Sequence, residues 1–325
     1  MRIAIVGASG MVGQSFIKVL EEYQLPIESI SFLASSRSAG QSIQFNGQSY
    51  IIEELTEHSF EKGYDYALFS AGGSVSEIYA PIAAKNGCIV VDNSSFWRMH
   101  PDVPLIVPEI NFEDTTMSKN IIANPNCSTI QSVLPLYALR SLGLKRVVYT
   151  TYQAVSGSGY KGVMDLERNL NQELSTFYPK QILHNVIPQI DVFLENGNTK
   201  EEEKMIKETQ KILNNPNLKI SATCVRVPVF NGHSVAINVE FENDFTLDEV
   251  LSLLSKQAGL KLWIDDYPTA LDVSGQDDVY VGRVRRDESV PYGLNLWVVA
   301  DNIRKGAASN AVQIVKKLME AKHVI

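Results

Sequence analysis

The sequence predicts an α/β chain in two parts, a doubly wound parallel sheet followed by an α+β domain. Short apolar runs alternate with helical patterns over the first 125 positions, and a glycine-rich turn joins the first run directly to the first helix. Beyond Cys127 the apolar runs lengthen and fewer helices separate them. At 325 residues the chain exceeds what one core comfortably organises, so two domains are expected.

In chain order, Arg2–Val6 reads as a strand, Met11–Tyr23 as a helix and Ile30–Leu33 as a strand. Tyr64–Ser70 and Cys88–Val91 are further strands around the helical stretch Val75–Lys85. Strands apolar throughout, alternating with helices, belong to a parallel sheet covered on both faces, and right-handed crossovers make it doubly wound. After a helix at Ser128–Leu142 come a long strand at Leu144–Val155 and an amphipathic helix at Glu202–Leu213. The inward face of that helix is read as Met205, Ile206, Thr209, Ile212 and Leu213. Strands follow at Ile220–Val229, Ser234–Phe241, Tyr280–Val284 and Leu294–Ala300, with a helix at Leu247–Gln257 and a closing helix at Ala307–Met319. Polar stretches at Glu195–Lys200, Asn214–Leu218 and Asp272–Asp278 read as surface connections.

With 45% apolar and 20% charged residues the chain is an ordinary globular sequence, which excludes disorder and coiled coil. Its formal charge of −8, without a Lys/Arg cluster, argues against nucleic acid as a partner. No run approaches the ~18 apolar residues of a membrane span, and Ile3–Val6 ends at once in Gly7, unlike a signal peptide. A soluble, cytoplasmic protein is expected. Three cysteines, Cys88, Cys127 and Cys224, are too few and too dispersed for a disulfide framework or a metal site, so no metal is expected.

Gly7-Ala8-Ser9-Gly10-Met11-Val12-Gly13 follows the first strand and opens the first helix, a variant of the dinucleotide fingerprint. Glycines let the backbone approach a pyrophosphate, whose charge sits on the helix N-terminus. An NAD site presents an acid about 20 residues later. Here the stretch Ala34-Ser35-Ser36-Arg37-Ser38-Ala39-Gly40 has no acid, and Arg37 and Ser38 suit a 2′-phosphate. NADP(H) is therefore expected, the competing reading being that Arg37 is a solvated loop residue.

Cys127, in Asn124-Pro125-Asn126-Cys127-Ser128-Thr129, falls at the start of a helix, where the dipole favours a thiolate. Spacing alone leaves a nucleophile and a buried structural cysteine equally open. Cys88 and Cys224 lie in apolar strands and read as core residues.

Several segments, in order from residue 7 to about 310, carry a family resemblance: GASGMVG, SSRSAG, FSAGGSVS, DNSSFWRM, NPNCST, YQAVSGSG, RVPVFNGHS and DNIRKGAASN. Together they resemble aspartate-β-semialdehyde dehydrogenase. The resemblance implies a Rossmann-like NADP-binding domain over 1–127, completed by a C-terminal helix at 303–325. It also implies a catalytic and dimerisation domain over 128–302, of the glyceraldehyde-3-phosphate-dehydrogenase-like type, in a homodimer or tetramer. The implied reaction is NADPH-dependent reductive dephosphorylation of L-4-aspartyl phosphate to L-aspartate 4-semialdehyde, serving lysine, methionine, threonine and diaminopimelate synthesis.

The resemblance makes Cys127 the nucleophile, His233 the acid/base and Gln153 the residue orienting the substrate. It places Arg226 on the substrate α-carboxylate, Arg98, Asn126 and Lys204 on the phosphate, and Glu201 on the ammonium group. Ser156, Gly157 and Asn302 fall at the nicotinamide end of the cofactor. Other readings remain for some of these. Lys200–Lys204 is also what an ordinary solvated helix start looks like, and Arg304 and Lys305 read as solvated. Arg226 and His233 stand seven apart, which on one regular strand would put them on opposite faces; a bulge or loop at Phe230-Asn231-Gly232 would resolve this. His58, His100, His184 and His323 read as surface or packing residues.

Three competing functions differ in sequence terms. N-acetyl-γ-glutamyl-phosphate reductase shares the loop and the cysteine mechanism, but Tyr-Pro-Thr typically follows its cysteine, where Ser128-Thr129 stands here. A glyceraldehyde-3-phosphate-type enzyme has a different cysteine context and the NAD acid. A silent NADP-binding protein could lose Cys127, Gln153, Arg226 or His233, and all four are present.

Overall fold

A computed structural model describes residues 1–322, so His323 lies outside the described residues. The chain divides into two compact units, one of Met1–Pro125 with the segment from Ala307 onward, the other of Asn126–Gly306.

The first unit contains β1 (Arg2–Val6), α1 (Met11–Tyr23), β2 (Ser29–Ala34), β3 (Ser42–Phe45), β4 (Gln48–Ile51), β5 (Glu53–Glu54), β6 (Tyr66–Phe69), α2 (Gly73–Lys85), β7 (Ile89–Asp92) and β8 (Ile121–Ala123). Its six-stranded sheet has the order β5-β2-β1-β6-β7-β8, and every pairing is parallel. Strand order reverses between β1 and β6, which opens a crevice at the carboxyl ends of the strands where the glycine turn emerges. Ile3, Ile5, Leu68 and Val91 from the sheet share a core with Phe16 and Leu20 of α1 and with Ala311, Val312 and Val315 near the C-terminus. The hairpin β3–β4 escapes the periodicity reading, although its Asn46-Gly47 turn, with φ of 48° and 73°, carries the usual hairpin signal.

The second unit contains α3 (Cys127–Ala138), β9 (Leu144–Gln153), α4 (Tyr160–Leu170), α5 (Lys200–Ile212), β10 (Lys219–Arg226), β11 (His233–Phe241), α6 (Leu247–Ser255), β12 (Leu260–Leu262), α7 (Ala270–Val273), β13 (Val279–Asp287) and β14 (Gly293–Ala300). Its mixed sheet has the order β10-β9-β11-β14-β13-β12; β9–β10 and β12–β13 are parallel and the other pairings antiparallel. Val147, Tyr149, Thr151 and Gln153 of β9 are buried on the face covered by α3 and α5, where the Tyr149 hydroxyl meets Thr209 at 3.1 Å. Tyr152 points the other way and is exposed, its ring 5.6 Å from that of Trp297.

Several boundaries differ from the sequence expectation for local reasons. β9 ends at Gln153, where a 3₁₀ turn at Val155–Ser158 takes over, Val155 N–H bonding to Val229 O at 2.8 Å. β10 ends at Arg226 because Pro228 has no N–H to continue a ladder. The helix expected over Ser128–Leu142 stops at Ala138; a 3₁₀ turn at Arg140–Leu142 ends at Gly143, whose φ of 77° a side chain would strain. The closing helix, expected from 303, begins only at Ser309 (α8, Ser309–Lys322), after a π-turn at Arg304–Ala308. α4 was not expected at all, its apolar positions following closely on Gly157 and Gly159.

Candidate active site

In the first unit the glycine turn is built for close approach. Gly7 has φ +85°, and a Cβ there would overlap the Ser70 carbonyl; one on Gly13 would overlap the Gly7 carbonyl. Gly10 is the N-cap of α1 and has no side chain to cap it, so the first-turn amides of Met11, Val12 and Gly13 suit an anion. Ser9 Oγ donates to Ser38 Oγ at 3.0 Å, joining the turn after β1 to the loop after β2, with the exposed Arg37 beside it. A dinucleotide pyrophosphate and a ribose 2′-phosphate fit these groups. Arg98, also in this unit, is buried and donates from Nε to Asn124 O and from Nη2 to Asn93 O, both at 2.9 Å.

In the second unit Cys127 is the first residue of α3. Asn126 is the N-cap; its Oδ1 accepts from Ser128 N at 2.9 Å and Thr129 N at 3.2 Å. The Cys127 thiol is half-buried, whereas Cys88 and Cys224 are fully buried, and none of the three is in a disulfide. Burial pushes the Cys88 thiol up to about 12 and the Cys224 thiol upward as well. Gly306 lies against the nucleophile position, where a Cβ would stand 2.8 Å from Cys127 Cβ.

Helix α5 holds Asn126 from two sides. Asn126 Nδ2 donates to Glu201 Oε1 at 2.9 Å, and its backbone N–H donates to Glu208 Oε2 at 2.6 Å. Glu201 also accepts from Gln153 Nε2 at 3.1 Å and Lys204 Nζ at 3.2 Å, while Lys204 reaches Asp191 at 3.0 Å. Burial alone would raise Glu201, but the Lys204 charge, the two amide donors and Arg226 outweigh it and hold this carboxyl at about 2. The start of α5 is therefore not a solvated face, since Glu201 and Glu202 are buried. The inward face adds Glu208 to Met205, Thr209 and Ile212, while Ile206 and Leu213 are only half-buried. Glu208 lies two turns from Glu201, a spacing of seven that was its only sequence signal.

Sheet register gathers the remaining groups. Arg226 pairs with Gln153 across β9–β10, and Ser234 pairs with Tyr152 across β9–β11, so Gln153, Arg226 and His233 end three neighbouring strands together. Arg226 and His233 share a face because the segment between β10 and β11 resets the alternation, turning at Gly232 with φ 89°. The backbone of one residue, Ala154, serves both. Arg226 Nη1 donates to Ala154 O at 2.6 Å, and Ala154 N–H donates to His233 Nδ1 at 3.0 Å. Nδ1 as acceptor places the ring proton on Nε2, which is buried and has no hydrogen-bond partner among the described residues. Burial first, and the Arg226 charge second, lower the imidazole to about 3, so the resting ring is neutral.

The next residues close the site. A Cβ on Gly157 would stand 2.8 Å from Arg226 Nη1 and 3.0 Å from His233 Nε2. Asn302 Nδ2 donates to Ser156 Oγ at 2.9 Å while its Oδ1 accepts from Gly232 N at 2.9 Å. Arg304 and Lys305 are not solvated: Arg304 forms a two-point ion pair with Asp277, at 2.8 and 3.0 Å, and Lys305 is fully buried. His58, His100 and His184 are exposed. Among the described residues no group of His, Cys, Asp and Glu could hold a metal, and no helix is long and apolar enough to cross a membrane.

A half-buried thiol, a neutral imidazole, a guanidinium, a primary amide and a low-pKa carboxylate suit acyl transfer through sulfur to a small zwitterionic substrate. Comparison with known proteins bears on which substrate. Residues 2–118 match the family model described as semialdehyde dehydrogenase, NAD binding domain, and residues 133–305 the semialdehyde dehydrogenase, dimerisation domain. An aspartate-semialdehyde dehydrogenase of Aquifex aeolicus is 49% identical, covering 98% of each chain. The crystal structure of aspartate semialdehyde dehydrogenase II of Vibrio cholerae, complexed with ASA, matches with a TM-score of 0.95 at 45% identity over 98% of each chain. That of the Candida albicans enzyme with NADP matches with a TM-score of 0.79 at 26% identity, over 100% of this chain and 99% of the other.

Proposed function

The chain belongs to the aspartate-semialdehyde dehydrogenase family, and from that premise we propose that it reduces L-4-aspartyl phosphate to L-aspartate 4-semialdehyde and phosphate with NADPH, through a thioester on Cys127. The observation that carries the reading is the convergence of Gln153, Arg226 and His233 at one end of three strands. Glu201 is tied both to Gln153 and to Asn126, the residue before the thiol.

Cys127 Sγ attacks the acyl carbon, the carbon–oxygen bond to phosphate breaks, and a thioester forms. NADPH, when bound, supplies the hydride that reduces this thioester to a thiohemiacetal. The carbon–sulfur bond then breaks, releasing the aldehyde and restoring the thiolate. Arg226 holds the substrate α-carboxylate and Glu201 its ammonium group, two fixed charges of opposite sign that orient a zwitterion. Gln153 orients the acyl group from beside Glu201. Asn126, Lys204 and Arg98 receive the phosphate. His233 presents Nε2–H to the carbonyl oxygen. Acid–base turnover at that ring needs the negative charge of bound substrate to offset Arg226. Gly7, Ser9, Gly10, Met11, Val12 and Gly13 hold the pyrophosphate, Arg37 and Ser38 the 2′-phosphate, and Ser156, Gly157 and Asn302 the nicotinamide end.

The first unit is read as the NADP-binding domain and the second as the catalytic and dimerisation domain of a homodimer. The exposed sheet face of the second unit, a groove including Tyr152, Phe230, Leu271 and Trp297, supports pairing with another copy. A nucleophilic thiol that must stay reduced suits the cytoplasm. The test is NADPH formation from L-aspartate 4-semialdehyde and NADP. Turnover that requires inorganic phosphate is expected, and equal or faster turnover of N-acetyl-L-glutamate 5-semialdehyde would overturn the substrate assignment.

A further inference from the structure

Gln131 stands four residues after Cys127, one turn along the same face of α3, and is fully buried. Its Nε2 donates to His233 O at 3.0 Å and to Val298 O at 3.3 Å, bridging β11 and β14 beneath the helix. Both partners are carbonyl oxygens, so the –NH₂ end must face the sheet. The amide oxygen is buried without a hydrogen-bond partner among the described residues. Such a group costs free energy that an apolar side chain of the same length would not. The residue thus spends stability in the layer between helix and sheet, and what it gains is a fixed link from the helix headed by the thiol to the backbone of the histidine. The His233 ring is fixed separately, by Ala154 N–H at Nδ1.

We propose that Gln131 is a positioning residue that sets His233 against Cys127, tying the second turn of α3 to the His233 carbonyl. This rests on the roles proposed above for Cys127 and His233. It acts through the imidazole, not through substrate affinity.

Gln131→Met, similar in length and without a donor, and Gln131→Glu, which turns a second oxygen toward the two carbonyls, test it in the full-length enzyme. Circular dichroism and thermal melts report folding, and steady-state assays with L-aspartate 4-semialdehyde, NADP and phosphate report catalysis. For folded Gln131→Met the expected result is a kcat lower by about 30-fold with KM within about threefold, because misplacement of a reacting group by under 1 Å acts on the chemical step. The rate of Cys127 alkylation by iodoacetamide should stay within about twofold of wild type, since the thiol still heads the same helix; Gln131→Glu should lose at least as much kcat. Wild-type kcat in Gln131→Met overturns the proposal. So does a loss that matches the unfolded fraction, or one accompanied by an equal loss of alkylation rate. Cys127→Ser in the same assay keeps the two readings apart. Turnover by Cys127→Ser would sink the proposed function, whereas an inert Cys127→Ser beside a normal Gln131→Met would sink only the role of Gln131.

Discussion

Gly157 does not have the left-handed backbone that demands glycine, so its missing side chain answers to space. Arg226 and His233 close on its Cα, and a methyl there must displace one or both. Gly157→Ala is expected to fold and to lose about 10²-fold in kcat/KM for the semialdehyde, the usual scale for a misplaced catalytic group. Steady-state kinetics near wild type would show the two side chains to be unimportant or freely mobile. Arg37 is a separate residue-level test. Arg37→Ala should weaken NADPH by about 30-fold and leave NADH nearly unchanged, because only one of them carries the extra phosphate. Equal losses in fluorescence titrations would refute that role. Cys127, Gln153, Arg226 and His233 were singled out by the family motifs they sit in, whereas spacing alone left Cys127 and His233 open to a structural role. The contribution of Ala154 was not, since it is made by backbone atoms that any residue supplies, and Glu208 offered only a helical spacing shared by many surface residues.

At the scale of elements, α3 depends on one cap. Asn126 satisfies two amides of the first turn and is itself held by two carboxylates of α5. Asn126→Ala removes the side-chain bonds and should cost about 1–2 kcal/mol, lowering the melting temperature by a few degrees. An unchanged melt would mean that the cap contributes nothing. In the first unit β1, β2, β6 and β7 were legible from apolar runs alone, because a parallel sheet buried on both faces leaves little else for such runs to form, whereas the short β3, β4, β5 and β8 were not. Their ends in the second unit were not. There β9 and β10 stop, at Gln153 and Arg226, and β11 starts, at His233, where the bonding partners change, and it is at these ends that the site lies.

For the whole molecule, two buried groups of the site contribute to how stability responds to acid. His233 is lowered from 6.5 to about 3 by burial and Arg226, so the unfolded chain takes up its proton first as pH falls. Its contribution is complete above pH 6.5 and is lost progressively toward pH 3. Glu201, lowered from 4.5 to about 2, acts in the same direction over the window from pH 4.5 downward. The urea midpoint should therefore fall from pH 7 to 5 and more steeply below 4.5, with the upper part of the slope reduced in His233→Gln. A midpoint flat between pH 7 and 4 would contradict the neutral buried imidazole.

The covalent step can be caught by incubating the protein with L-aspartate 4-semialdehyde and NADP in the absence of phosphate, quenching in acid and mapping peptides by mass spectrometry. A single aspartyl thioester on the peptide carrying Cys127, discharged when phosphate is added before the quench, is the expected result. No adduct, an adduct on Cys88 or Cys224, or one that phosphate leaves in place would contradict a reaction carried by the thiol at the head of α3.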